Sequence, residues 1–294
     1  MKVSLIIPVC NGGQETSKTI LSAAESLQDV DYEIIVVDDG SDDGWTFGLP
    51  GVATLIRMPE RQGCSAAKCA GAKAATGDVL IFSDAHCRYP DKALAYIAKK
   101  ATKMGGVVAP KVRILPKNSI YYGAYFRSRQ VGVRSEKTQS FRLYRNNEPS
   151  LYGSIYAIPR LTYDFIGGWP KLPGHWGQAE TSLGLLCWFS EVPITVVETV
   201  CDHIDRPDGL RWPYKLTRKD RASNAHFVHA AFLPNTYPTV WRPRIDKVFG
   251  NRTAFRSCLD TVEFRQFRDR VESLRLRSER EFVEHALRME WPDV

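Results

Sequence analysis

The stretch DVLIFSDAHCR, residues 78–88, decides the fold of this chain. Its apolar run at 79–82, bounded by Gly77, is typical of a strand that is buried on both faces of a sheet. Side chains alternate along an extended chain, so Asp84 and His86 point to the same side. A carboxylate and an imidazole at the carboxyl end of a parallel strand predict a divalent-cation site. An isolated Asp-x-His turn can instead form hydrogen bonds to the backbone alone. The prediction of a metal site therefore depends on the rest of the chain.

Other apolar runs precede and follow this strand. They lie at residues 3–9, 33–37, 52–56 and 107–114, and further strands are expected at 151–158 and 193–200. Segments with helical spacing of apolar residues, at 15–27, 66–76 and 91–104, separate the early runs. Strands that alternate with helices and carry no polar face predict an α/β fold with a mostly parallel sheet flanked by helices.

The last part of the chain has a different pattern. After Pro213 it is mainly helical, and residues 260–288 carry apolar side chains at intervals among many charges. This spacing predicts an amphipathic helical tail that packs on the sheet domain. We therefore expect a catalytic or binding domain over residues 1–232 and a helical C-terminal extension over residues 233–294.

Composition limits the class of protein. The chain has 294 residues, 44% of them hydrophobic and 25% charged, which is typical of a globular protein in water. No apolar run approaches the roughly 20 residues that a membrane span requires. The amino-terminal apolar run predicts a first strand rather than a secretion signal. Seven cysteines without paired metal-ligand spacing favour buried thiols in a reducing compartment, hence a cytoplasmic location.

The net charge of +7 is unevenly distributed. Residues 99–147 contain a single acid, Glu136, among many bases. The bases are Lys99, Lys100, Lys103, Lys111, Arg113, Lys117, Arg127, Arg129, Arg134, Lys137, Arg142 and Arg145. A second basic group lies between Arg206 and Arg221. A solvated surface explains a short run of charge, but this surplus predicts a polyanionic partner.

Three of the predicted strands end in segments that carry groups able to bind a ligand. These segments are Pro8 to Asn11, the pair Asp38 and Asp39, and the Asp84–His86 turn. Ligands of parallel α/β sheets bind outside the carboxyl ends of the strands, and carboxylates accept hydrogen bonds from a base or a ribose. A metal at Asp84 and His86 would then hold a diphosphate, with Lys68 adding positive charge. This layout predicts a nucleotide-sugar site.

Several motifs resemble one family. The segments SLIIPVCNG at 4–12, EIIVVDDGSDDG at 33–44 and the Asp-x-His strand resemble type-A-fold glycosyltransferases of the large family 2 kind. Similarity is closer to the polypeptide N-acetylgalactosaminyltransferases, in the segments 61–87 (from RQGC to DAHC), 148–160 (EPSLYGSIYAIPR), 167–177 (GGWPKLPGHWG) and 203–206 (HIDR). The resemblance covers about residues 1–230. It implies a glycosyltransferase type-A (Rossmann-like) fold with a mixed, mostly parallel sheet.

The resemblance also implies ligands and site residues. Asp84, His86 and His203 would hold Mn²⁺, or Mg²⁺, and the donor would be a UDP-sugar. The residues expected to bind the donor are Pro8, Val9, Asn11, Asp38, Asp39, Arg61, Gly63, Lys68, Asp84 and Tyr214. Those expected around the reacting sugar are Trp176, Glu180 and Arg206, and an inverting reaction would take Glu180 or Asp202 as its base.

One departure from the family pattern puts the acceptor in question. In the segment Trp176-Gly177-Gln178-Ala179-Glu180, Ala179 replaces the family's first acid and leaves Glu180 as the nearest carboxylate. Residues 204–214 are expected to form a lid over the donor.

Three readings of the function remain open. The favoured acceptor is a hydroxymethylated pyrimidine in DNA, because lysine and arginine neutralise phosphates and aromatic residues such as Tyr121 can stack on an extruded base. The alternative acceptor is a serine or threonine hydroxyl of a polypeptide. The third reading is a binding module that holds a sugar nucleotide without turnover, although such a module has no need to keep three metal ligands.

Overall fold

The structure, a computed structural model, describes residues 1–121, 123–126, 133–135, 149–151, 153–205 and 217–292. Arg206, Tyr214 and most of the predicted lid lie outside these ranges. So do many of the bases between residues 122 and 148, including Arg127 and Arg129.

The main sheet has nine strands within the described residues. They are β1 (Lys2–Val9), β2 (Asp31–Asp38), β3 (Ala53–Arg57), β4 (Val79–Ser83), β5 (Cys87–Arg88), β6 (Val107–Leu115), β7 (Ser119–Tyr121), β11 (Ile155–Pro159) and β12 (Ile194–Ile204). Their order is β3-β2-β1-β4-β11-β6-β12-β5, with β7 beside β6. β11 runs antiparallel to β4 and β6, and β5 runs antiparallel to β12, while β1 to β4 pair in parallel. The predicted mixed, mostly parallel sheet is confirmed.

A second, small sheet comprises β8 (Ala124–Phe126), β9 (Val133–Ser135) and β10 (Pro149–Ser150). The helices are α1 (Gly13–Ser26), α2 (Cys64–Ala74), α3 (Ala93–Met104), α4 (Arg160–Ile166), α5 (Ala179–Phe189), α6 (Arg218–Phe232), α7 (Arg242–Phe249), α8 (Val262–Ser273) and α9 (Glu279–Glu281). Short π-helical turns follow at Tyr237–Trp241 and Phe282–Ala286, and 3₁₀ turns lie at Trp45–Gly48, Thr253–Phe255 and Ser257–Asp260. None of the helices in these ranges is long and apolar enough to cross a membrane.

The sheet is buried on both faces, as its apolar strands predict. Leu5 and Ile81 pack with α1 and α3 on one face, whereas Ile6 and Phe82 pack with α2 and the later helices on the other. The alternation of neighbouring side chains between two separate cores follows from the pleat of the strands. Burial of both faces explains why these strands show no polar periodicity.

Three predicted elements have different bounds in the structure. The strand expected at 151–158 begins only at residue 155, and the preceding residues pass along a cavity described below. The strand expected at 193–200 continues to residue 204, because its end pairs with β5. The tail expected at 260–288 is broken near residue 278, where a capping box of Ser278 and Glu281 starts a new helical turn.

The C-terminal helices share a core with the sheet domain. Phe267 of α8 and Phe282 contact Phe232 and Phe189 at ring-centroid distances of 5.5 and 5.4 Å. Arg275 lies over the ring of Phe189 at 4.3 Å. These contacts pack the tail on the domain, while the predicted boundary at residue 232 stays a prediction.

Candidate active site

Three potential metal ligands converge at one corner of the sheet. Asp84, His86 and His203 each offer a ligand atom, and these atoms lie within 4.8 Å of one another. His203 Nε2 is 3.3 Å from Asp84 Oδ2, and the two imidazole centroids are 4.4 Å apart. The predicted trio, whose members span more than a hundred residues of sequence, is therefore brought together by the fold.

Strand pairing explains how His203 reaches the Asp-x-His turn. β4 ends at Ser83, and the chain turns through Asp84 and His86 into the two-residue strand β5. β5 pairs with the end of β12 so that Cys87 lies opposite His203, and the N–H of Ile204 donates to the carbonyl of His86 at 2.9 Å. The register of this short pairing sets the separation of the two histidines.

The donor atoms of the cluster suit a divalent transition metal. Burial raises the pKa of Asp84, but the hydrogen bond with His203 and the charges of His86 and Lys68 outweigh it and lower this pKa. The carboxyl group is thus an anion ready to bind a cation. Nδ1 of His203 is buried without a hydrogen-bond partner. Two imidazoles and a carboxylate form a mixed nitrogen and oxygen set that fits Mn²⁺ better than Mg²⁺.

A cavity of about 290 Å³ adjoins the cluster. Asp84 and His203 form part of its wall. The other residues of the wall come from α2, from Ala124 of β8, from the segment before β11, from the loop that leads into α5 and from the first turn of α5. They include Lys68, Gly153, Ser154, His175, Trp176, Gln178 and Glu180. Its wall thus combines charged, amide and aromatic groups, which suits a hydroxyl-rich ligand such as a sugar.

A buried ion pair lies in this wall. Lys68 is only 1% exposed, and its Nζ donates to the carboxylate of Glu180 and to the hydroxyl of Tyr156, the latter at 3.2 Å. The ammonium also lies 5.4 Å from the ring centroids of both Tyr156 and Trp169. Although burial alone lowers it, nearby acidic groups including Glu180 raise the pKa of Lys68 well above its usual value. The Lys68 amine is therefore charged at neutral pH.

Gly153 leaves space for Glu180. A Cβ atom at position 153 would lie 3.0 Å from Glu180 Cδ and 3.1 Å from its Cγ. Any side chain there would push against the carboxylate that holds Lys68. The segment before β11 therefore shapes the cavity through the absence of a side chain, as well as through Ser154, whose carbonyl accepts from the N–H of Asp84 at 2.9 Å.

The predicted nucleotide residues cluster at the neighbouring strand ends. Asp38 and Asp39 are completely buried. Arg57 donates to Asp38 at 2.5 Å, and the N–H groups of Gln62 and Gly63 donate to Asp39 at 2.7 and 2.9 Å. The two carboxylates therefore bind loops of their own chain, and neither lines the cavity.

Asn11 and Arg61 connect the same loops. The Asn11 amide oxygen accepts from the N–H of Asp42, and the Asn11 N–H donates to the Ser41 hydroxyl, both at 2.9 Å. Arg61 donates to the Gly40 carbonyl at 3.1 Å and pairs with Asp42 at 3.1 Å. Pro8 and Val9 end β1 directly beside this network, since the N–H of Asp39 donates to the Val9 carbonyl at 2.8 Å.

Gly63 lies where only glycine fits. Its φ of +95° lies in the region that side chains disfavour, and a Cβ there would lie 2.5 Å from the carbonyl oxygen of His175. The N–H of Cys64, the next residue, donates to that oxygen at 3.3 Å. The start of α2 is thus joined directly to the loop that carries Trp176.

Asp202 is placed apart from the cavity. It is the neighbour of His203 on β12, so its side chain leaves the strand on the opposite face. Arg113 of β6 binds it through two hydrogen bonds of 2.6 and 2.9 Å. Of the two carboxylates predicted as a base, Glu180 therefore lines the cavity and Asp202 does not.

Other predicted bases on or directly after β6 pair with acids on or directly after β12. Besides Arg113, Lys111 pairs with Glu198, and Lys117 pairs with Asp205. The surplus of bases that the sequence shows in residues 99–147 is thus partly neutralised by these three acids. Arg127, Arg129, Lys137, Arg142 and Arg145 lie outside the described residues, and only the backbone of Arg134 lies within them.

Four residues of the site have no counterpart in the sequence predictions. Tyr156 and Trp169 surround the Lys68 amine, Gly153 makes room for Glu180, and Asn224 of α6 binds the loop at 174–177. Three of them, Gly153, Tyr156 and Trp169, lie within the motifs LYGSIYAIP and GGWP, whose small and aromatic residues were a usable signal. Asn224 lies in a helix with no such motif, so only the tertiary structure identifies it.

Known proteins provide an independent comparison. The family model described as glycosyl transferase family 2 matches residues 4–157 of the chain. Polypeptide N-acetylgalactosaminyltransferase 5 of Caenorhabditis elegans is 24% identical over 291 residues, covering 86% of this chain and 45% of the relative. Polypeptide N-acetylgalactosaminyltransferase 12 of Mus musculus is 26% identical over 242 residues, covering 74% of this chain and 42% of the relative. The chain thus spans less than half the length of these two relatives.

A solved structure supports the fold. The crystal structure of GalNAc-T7 with UDP, GalNAc and Mn²⁺ aligns with 97% of this chain and 57% of its own, with a TM-score of 0.70 and 19% identity. At this identity the likeness shows the fold alone. Together with the curated relatives, it confirms the predicted type-A fold and the predicted resemblance to the catalytic domain of polypeptide N-acetylgalactosaminyltransferases.

Proposed function

The chain belongs to glycosyl transferase family 2, and from this premise we propose that it transfers a sugar from a UDP-sugar to a hydroxyl group of a macromolecule. The observation that carries the proposal is the convergence of Asp84, His86 and His203 beside a cavity that also contains the Lys68–Glu180 pair. A site with these ligands and a charged, sugar-sized cavity suits metal-assisted cleavage of a sugar–diphosphate bond.

The cluster provides the metal chemistry. Asp84, His86 and His203 would hold a divalent cation, Mn²⁺ for preference, and this cation would neutralise the negative charge that develops on the leaving diphosphate. The chain itself supplies the orientation: the backbone pairing of β5 with β12 fixes the two imidazoles, and the Ser154 carbonyl fixes the backbone of Asp84.

Glu180 is the carboxylate that we place beside the sugar. The anomeric carbon gains positive character as the donor bond breaks, and a fixed anion nearby stabilises it. The hydrogen bond from Lys68 holds the carboxylate of Glu180 in place. In an inverting reaction, the same carboxylate would take the proton from the acceptor hydroxyl.

The nucleotide belongs, in this proposal, at the ends of β1 and β2. Asp38 and Asp39 hold the loops there by binding Arg57 and the backbone of residues 62–63. Pro8, Val9, Asn11 and Arg61 complete that edge. The two aspartates thereby shape the surface on which a uridine rests.

We propose a serine or threonine hydroxyl of a polypeptide as the preferred acceptor, and DNA as the second candidate. The names of the curated relatives support this order. So does the pairing of Lys111, Arg113 and Lys117 with the acids Glu198, Asp202 and Asp205. Paired bases have less charge to offer to phosphates. The remaining basic residues support the DNA acceptor, and the experiment below tests it as one of its outcomes.

The test uses radiolabelled UDP-sugars and Mn²⁺ with three acceptors side by side: serine- and threonine-containing peptides, hydroxymethylated duplex DNA and unmodified duplex DNA. We expect transfer to peptide, donor hydrolysis without acceptor, and loss of both in chelator. His203→Ala should remove both activities, whereas His285→Ala, a matched change at an exposed histidine, should remove neither.

Two results would change the proposal. Full activity in chelator would contradict it. So would a protein that neither hydrolyses nor transfers the sugar of any UDP-sugar. Transfer to hydroxymethylated DNA that weakens by about 0.9 logarithmic units per phosphate contact for each decade of salt would instead return the DNA acceptor to first place.

A further inference from the structure

Asn224 is a completely buried polar residue in the middle of α6. Its Nδ2 lies 3.1 Å from the carbonyl oxygens of Gly174 and Trp176 and 3.0 Å from that of Gly177. Its Oδ1 accepts from the N–H of Gly174 at 2.7 Å. All of these hydrogen bonds lead to a single loop, residues 174–177, which contributes His175 and Trp176 to the cavity wall.

This loop has little regular structure of its own. Gly177 and Gln178 both have positive φ, +96° and +66°, and α5 begins only at Ala179. Backbone groups in such a segment require partners outside it. Three carbonyl groups of the loop obtain one from the side-chain amide of Asn224. Trp176 is 39% exposed, so burial of its ring does not hold the loop in place.

Two helices enclose the loop. On one side, a Cβ at Gly174 would lie 2.7 Å from the Cα and Cβ of Asp220, so the loop packs directly on the first turn of α6. On the other side, the His175 carbonyl accepts from the start of α2. Close backbone contact and the hydrogen bonds of the Asn224 side chain thus both contribute to the position of the loop between the two helices.

We propose that Asn224 is a positioning residue that holds the 174–177 loop, and Trp176 with it, in the geometry that the sugar end of the cavity requires. The inference rests on the proposed function, because it assigns the loop to substrate. Asn224 touches neither the metal ligands nor the Lys68–Glu180 pair in any of its hydrogen bonds, so it acts on the sugar end alone.

The test compares Asn224→Ala and Asn224→Asp with Asn235→Ala, a matched change at an exposed asparagine. Asn224→Ala removes every bond to the loop. Asn224→Asp keeps an acceptor for the Gly174 N–H but places negative charge against three carbonyl oxygens. Both should lower kcat for donor hydrolysis and transfer by about 10- to 100-fold, since misplacement by about 1 Å has such effects. Mn²⁺ binding, followed by electron paramagnetic resonance, and the KM for the donor should stay within twofold.

A second readout reports on the loop directly. The acrylamide quenching of Trp176 is obtained as the difference between each protein and its counterpart that also carries Trp176→Phe. Loss of Asn224 should make Trp176 more accessible to acrylamide, whereas Asn235→Ala should not. Unchanged quenching of Trp176 in folded Asn224→Ala would overturn the proposal.

Hydrogen exchange of the unmutated protein covers the case in which neither variant folds. The amide of Gly174 should exchange slowly, because Asn224 accepts from it inside the protein. Exchange at the rate of an unstructured peptide would also overturn the proposal. If the unmutated protein has no glycosyltransferase activity, the proposed function fails, while quenching and exchange still decide whether Asn224 holds the loop.

Discussion

Two strands of the sheet, β2 and β4, flank β1 and end in aspartates at the same edge, but their carboxylates have different surroundings. Those of Asp38 and Asp39 are completely buried and accept hydrogen bonds from Arg57, Gln62 and Gly63. That of Asp84 lies in the cavity wall among imidazole groups. All three aspartates therefore lie at strand ends, but different groups surround their carboxylates.

The carboxylates differ in the groups to which they are bound or which lie next to them. Backbone N–H groups and an arginine satisfy a carboxylate inside the protein and turn it into a support for loops. Imidazoles that can both bind a metal leave a carboxylate able to share a cation with them. Replacement of Asp39 is thus expected to affect mainly the stability of the fold, and replacement of Asp84 mainly catalysis.

The largest effect should come from the metal ligands. Asp84→Ala should reduce Mn²⁺ affinity and sugar transfer by about 100-fold or more, since even changes around a ligand typically cost about 10- to 100-fold. Isothermal titration with Mn²⁺ and a donor-hydrolysis assay would measure both. Asp91→Ala, at an exposed aspartate, is the control, and Mn²⁺ affinity unaffected by Asp84→Ala would mean that the cluster is not a metal site.

Gly153→Ala should have the next largest effect. The added methyl group would lie 3.0 Å from Glu180 Cδ and would displace the carboxylate from Lys68. We expect kcat to fall by about tenfold through this misplacement, with Mn²⁺ binding retained. Gly51→Ala, where an added Cβ meets nothing within 4 Å, is the matched control. Equal kcat for the two variants would show that the position of Glu180 has no influence on the reaction.

Asp39→Ala should lower the free energy of unfolding by about 1–3 kcal/mol, because the buried N–H groups of Gln62 and Gly63 lose their acceptor. Denaturant unfolding would measure this, with Asp91→Ala as control, and Mn²⁺ binding should persist. A stability equal to that of the unmutated protein, combined with a strongly raised KM for the UDP-sugar, would instead favour direct contact between Asp39 and the nucleotide.

The smallest effect should follow Asp202→Asn. Asp202 pairs with a partly exposed Arg113 outside the cavity, and such pairs contribute about 1 kcal/mol or less. We expect kcat within twofold of that of the unmutated protein, whereas Glu180→Gln should lower kcat strongly. If the two substitutions exchanged these effects, Asp202 would be the base and the choice of Glu180 would be wrong.

The surplus of bases in residues 99–147 shows what a count along the sequence leaves out. Bases outnumber acids in this segment, because such a count does not include acids from distant segments that pack against it. Folding places β12 beside β6. The acids Glu198, Asp202 and Asp205 thereby meet the bases Lys111, Arg113 and Lys117. The sequence distance between the partners is 87–89 residues, so no local count could reveal the pairing.

The sequence by itself determined the sheet, because apolar runs that are buried on both faces depend only on local composition and on the two-residue period of a strand. It also predicted Asp84 and His86 as neighbours, since alternation places them on one side. The pairing of β5 with β12 that delivers His203, the burial of Lys68 against Glu180 and the binding of the 174–177 loop by Asn224 were decided only by tertiary structure. These are contacts between distant segments, and their geometry depends on strand register and on helix packing, which no short stretch of sequence specifies.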